Sequence, residues 1–102
     1  MNFQLLSNSE LGRSLFASFP KAKIDSGDLY FTEEVFEKIL DKCKREGYAV
    51  FGIEAWIDRT MDRCEVYETY DLPPDSPEWY QKAFDKLRIG EGEKIFLGTF
   101  GK

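Results

Sequence analysis

The chain has 102 residues, with 19 Asp or Glu against 14 Lys or Arg, a net charge of −5, an isoelectric point near 4.8 and no histidine. A chain of this length suits one domain and buries roughly two-thirds of the surface it exposes when unfolded. Without an imidazole, Ser-His-Asp and Cys-His catalysis, HExxH zinc sites and histidine pH switching are excluded, and the acidic balance argues against binding a phosphate backbone.

Met1–Leu6 lacks the basic start and the long apolar stretch of a signal peptide. The longest apolar run, Tyr48 to Ile53, falls well short of the ~20 residues of a membrane span, so the expected location is the cytoplasm, away from any membrane. Ser7-x-x-Glu10 reads as a capping box, with Leu6 and Leu11 placed as a hydrophobic staple. Leu11, Leu15, Phe16 and Phe19 continue at helical spacing until Pro20. Lys21 to Asp28 is polar and reads as a loop with a turn at Ser26-Gly27-Asp28. A second helix follows: Thr32 caps it, Glu33 and Glu34 suit its N-terminus, and Lys42, Lys44 and Arg45 suit its C-terminus. Its stripe is Val35, Phe36, Ile39, Leu40 and Cys43, and Gly47 stops it.

From Tyr48 the period changes to two. Two strands, ending near Asp58 and starting at Arg63, predict a hairpin that sets Asp58 opposite Arg63, with the second strand running to Tyr70. Ser76-Pro77-Glu78 starts a third helix, whose buried face is Trp79, Tyr80, Ala83, Phe84 and Leu87. Gly90-Glu91-Gly92 ends it, and Lys94 to Phe100 forms a last strand. The predicted order is α-α-β-β-α-β: a single α+β domain over residues 1–102, with a three-stranded, mainly antiparallel sheet and helices on one face. Cys43 and Cys64 read as small buried hydrophobes, since a reducing cytosol keeps thiols apart.

Charge is unevenly placed. Residues 54 to 78 hold eight acids and two bases, a charge of −6, which leaves +1 for the other 77 residues. Trp56, Tyr67 and Tyr70 lie in the same window. Carboxylates interleaved with aromatics engage Lys and Arg by ion pairing and cation–π contact, whereas a solvated strand face with covering aromatics is the bland reading of the same pattern. A carboxylate-based hydrolase needs a sugar-sized cleft that three strands offer little wall for. The EF-hand pattern is absent, since Asp25-Ser26-Gly27-Asp28 is too short for it, and no glycine motif fits a nucleotide fingerprint. No enzyme activity, cofactor or metal is therefore expected.

The helix that runs into Gly47-Tyr48-Ala49-Val50-Phe51-Gly52-Ile53-Glu54-Ala55-Trp56, and Tyr70-Asp71-Leu72-Pro73 before the next helix, resemble the immunity proteins of colicins that cleave tRNA anticodons. The likeness covers about Phe31 to Phe100 and leaves residues 1–30 as an N-terminal helical addition. It implies an immunity protein of bacteriocin or contact-dependent inhibition type, a monomer or weak dimer, that fills the basic cleft of a cognate nuclease toxin. Under that resemblance Glu54, Trp56, Asp58, Glu65, Tyr67, Glu68 and Asp71 form the partner-binding face, with Trp56 and Tyr67 standing in for bases and Glu54, Glu65 and Asp71 for phosphates or base edges. The alternative is a small acidic interaction or regulatory domain with a basic housekeeping partner.

Overall fold

The computed structural model describes residues 2–102. Its first helix starts on the capping box: the Ser7 hydroxyl accepts from the Glu10 N–H at 3.2 Å, and the Glu10 carboxylate accepts from the Ser7 N–H at 3.0 Å. This helix, α1 (Asn8–Arg13), is shorter than the spacing of its apolar residues predicts. Ser14 leaves helical geometry (φ −124°, ψ −94°) and its hydroxyl donates to the Glu10 carbonyl, a local bond that competes with the helix. Leu15 and Phe16 reach the core from turns instead.

The predicted loop over Lys21 to Asp28 is a hairpin. Strands β1 (Lys23–Asp25) and β2 (Asp28–Thr32) pair antiparallel across Ser26-Gly27, both at positive φ, which suits a two-residue hairpin turn. A three-residue strand is too short to show alternation, and Leu29, Tyr30 and Phe31 are buried consecutively, so no period marks either strand. Helix α2 (Glu33–Glu46) forms as its pattern requires: Thr32 accepts from the Val35 N–H, and Gly47 sits at φ 76° as the left-handed stop.

The second hairpin corrects the expected register. Strands β3 (Ala49–Ile57) and β4 (Thr60–Val66) join through Asp58-Arg59, so Ile57 faces Thr60 and Trp56 faces Met61. An irregularity between Ala55 and Trp56 then sets Ala55 opposite Arg63, Glu54 opposite Cys64 and Ile53 opposite Glu65. Asp58 does not face Arg63; it occupies the turn at φ 56°. The strand ends at Val66, and Tyr67–Tyr70 is a 3₁₀ turn, which removes the conflict of a strand Glu68 aimed at the core. Helix α3 (Pro77–Leu87) has its proline in the first turn, while the Ser76 hydroxyl makes no capping bond. Strand β5 (Ile95–Gly101) closes the chain.

The sheet therefore has five antiparallel strands rather than three, in the order β1-β2-β5-β3-β4. The last strand in sequence takes the central place. Phe31, Val50, Ile53, Ala55, Phe96 and Phe100 point toward the helices, where Phe36, Ile39, Trp79 and Phe84 complete the core. Residues 1–30 share that core through Leu11, Leu15, Phe16 and Leu29, and Gln4 and Leu6 bond to Lys102 and Phe100 along β5. Among the described residues no helix is long and apolar enough to cross a membrane.

Candidate functional site

Directly paired residues share a face of a sheet. Since Val50, Ile53 and Ala55 face the helices, the alternate pairs Gly52–Thr99, Glu54–Leu97 and Trp56–Ile95 lie on the opposite face, which no helix covers. There the Trp56 indole N–H donates to a Glu54 carboxylate oxygen at 2.9 Å, which fixes both side chains across the two-residue repeat of the strand. The Tyr30 ring meets Trp56 edge-on, with centroids 5.8 Å apart. Burial first, and then the carboxylates of Asp28, Asp25 and Glu54, raise the Tyr30 phenol above its ordinary range. Asp25 and Asp28 pair directly across their hairpin. The acidic field thus runs from one hairpin to the other, which the charge count along the sequence did not reveal. The only sequence signal for it is the Asp28-x-Tyr30 alternation.

Seven residues were expected to form one face, and the fold divides them. Glu54, Glu65 and Glu68 line a common depression of about 290 Å³, together with Gly52, Cys64 and Val66, while the Glu65 carboxylate itself is held by the Tyr70 hydroxyl. Trp56 stands beside it through its bond to Glu54. Asp58 and Asp71 are exposed in left-handed positions, one in the hairpin turn and the other closing the 3₁₀ turn. Glu65 pairs with Ile53 and so belongs to the helix side, where its carboxylate accepts from the Tyr70 hydroxyl. Tyr67 is half-buried between Phe51 and Trp79, with centroid distances of 6.1 and 6.5 Å. Glu54, Trp56 and Glu68 are brought together; Glu65 and Tyr67 turn inward.

Ion pairing within the chain separates structural acids from available ones. Asp62 pairs with Lys94 at 3.2 Å and with Arg63 at 3.6 Å, and Glu78 pairs with Lys82 at 3.3 Å. Among the described residues, Glu54, Asp58, Glu65, Glu68, Asp71 and Asp75 have no such partner, so most of the window's charge is not balanced by ion pairs within the chain. Both cysteines are free thiols. Cys43 is buried, and burial pushes its thiol up to about 12. Cys64, expected in the core, is exposed, because the register places it opposite Glu54 on the uncovered face. Among the described residues no three Cys, Asp or Glu side chains are grouped to share a metal ion.

The chain matches no protein-family model, no curated protein and no solved structure. The likeness to colicin immunity proteins rests on the residues quoted above.

Proposed function

We propose that this protein is an immunity protein that binds and neutralises a cognate bacterial nuclease toxin, an RNase or tRNase, by placing the uncovered face of its sheet in the toxin's basic cleft. The observation that carries the reading is the Glu54 carboxylate held beside Trp56, with Glu68 lining the same depression and neither in an ion pair among the described residues, on a sheet face that the chain itself leaves open. Such a surface presents negative charge beside the half-buried Trp56 ring, features that a nucleic-acid cleft recognises. Complementary charge accelerates encounter and excludes wrong partners. Occupying a cleft requires no proton shuttle, in keeping with a chain without histidine.

Binding of the purified protein to the basic domain encoded immediately upstream tests this function. A complex at low ionic strength is expected, with Glu54→Lys weakening it at least about tenfold, or about 1.4 kcal/mol. Absence of a complex removes the immunity role, and normal binding by Glu54→Lys and Trp56→Ala removes the face assigned to it.

A further inference from the structure

Three glycines lie within the central strands, and the fold explains two. A Cβ on Gly98 would overlap the Phe100 ring and sit 3.1 Å from that of Phe36, and one on Gly101 would sit 2.6 Å from the Gln4 carbonyl oxygen. Gly52 has no comparable reason. Its φ lies outside the left-handed region, so the irregularity between Val50 and Gly52 does not require a glycine. A Cβ there would meet the Glu65 carbonyl and the Val66 side chain at 3.5 Å, an ordinary contact. A glycine inside a strand weakens it and, where the backbone does not call for one, marks a place where a ligand or another chain comes close.

Gly52 forms part of the lining of the 290 Å³ depression, with Glu54 and Glu68 also lining it and Phe51 and Val66 as apolar walls. Neither carboxylate has an ion-pair partner among the described residues. We infer that this depression receives one arginine side chain of a basic protein partner, its guanidinium lying over Gly52 between Glu54 and Glu68. Charge complementarity selects a cation, and the planar, weakly hydrated fork of arginine suits two carboxylates beside an aromatic wall better than the compact ammonium of lysine. The inference rests on the proposed toxin-binding function for the identity of the partner, but not for the chemistry of the occupant.

The test uses the isotope-labelled full chain and N-acetyl-arginine-N-methylamide as probe, followed by amide chemical shifts at low salt, with the lysine and citrulline analogues as controls. Saturable shifts centred on Gly52 and Val66 are expected with the arginine probe, at least fivefold weaker binding with lysine, and none with uncharged citrulline. Gly52→Leu, which fills the floor, is expected to abolish the response. Glu68→Gln, in an exposed turn, is expected to weaken it at least fivefold and decides the matter if Gly52→Leu does not fold. No shift with arginine, an equal response to lysine or citrulline, or an undiminished response in Glu68→Gln or in folded Gly52→Leu overturns the inference. Arginine binding without toxin capture leaves the depression assigned and removes the immunity role; toxin capture without arginine binding does the reverse.

Discussion

Tyr70 shows how one residue couples the acidic window to the core. Its hydroxyl donates to Glu65, its ring lies 5.6 Å from that of Trp79, and the Lys86 ammonium sits 5.0 Å from its ring centre. Burial, followed by the bond to Glu65, raises its phenol from 10 to about 12. Because the folded value is the higher one, this contribution to stability is complete below pH 10 and is lost as the pH rises from 10 to 12. Tyr70→Phe is therefore expected to flatten the loss of stability over that range, read as the urea midpoint against pH; an unchanged slope would contradict it. Steric fit dominates at Gly98, where an alanine Cβ would overlap the Phe100 ring. Gly98→Ala is expected to destabilise the protein by about 1–3 kcal/mol in urea melts.

At the scale of elements, the C-terminal end of α3 is held by two cations from outside the helix, Lys94 just beyond it and Arg63 from β4. The Lys94 ammonium, 3% exposed, donates to the Leu87 and Ile89 carbonyls at 2.8 and 2.6 Å, and the Arg63 guanidinium donates to those of Lys86 and Ile89 at 2.8 and 3.0 Å. Both charges oppose the negative end of the helix dipole, and Asp62 balances Lys94. Lys94→Met removes the side-chain donor to the Leu87 carbonyl and leaves the Ile89 carbonyl and Asp62 with Arg63 alone, and is expected to cost about 1–3 kcal/mol, measured as loss of the urea midpoint. Nothing local to Lys94 announces this role. Helix α2 was legible because cap, stripe and stop are local signals, all present between Thr32 and Gly47, and α3 because Pro77 in its first turn and its apolar stripe are local too, although Ser76 makes no capping bond and the helix ends at Leu87, before Gly90. The end of α1, the β1–β2 hairpin and the register of β3 against β4 were not. Those depend on pairing with β5 and on a single extra residue near Ala55, which tertiary contacts decide.

For the molecule as a whole, the sequence located the charge along the chain, and the fold decided which of that charge is available. The pairings of Asp62 and Glu78 belong to the structure, as does that of Asp25 with Lys23 at 3.8 Å, whereas Asp28, far away in sequence, joins the field beside Tyr30. Glu65 was unreadable as an inward residue because a one-residue slip exchanges the faces of a strand, and Tyr67 because the strand expected to carry it ends at Val66 in a 3₁₀ turn. Long-range attraction from this surface is expected to make association with a basic toxin fall by about tenfold or more between low and physiological salt, with dissociation changing less, as stopped-flow rates would show. The most direct measurement of the proposed immunity role titrates the nuclease activity of the proposed toxin with the purified protein at low salt. Complete inhibition at one equivalent, relieved by Glu54→Lys, is the predicted result; full activity in the presence of a large excess of the protein would contradict it.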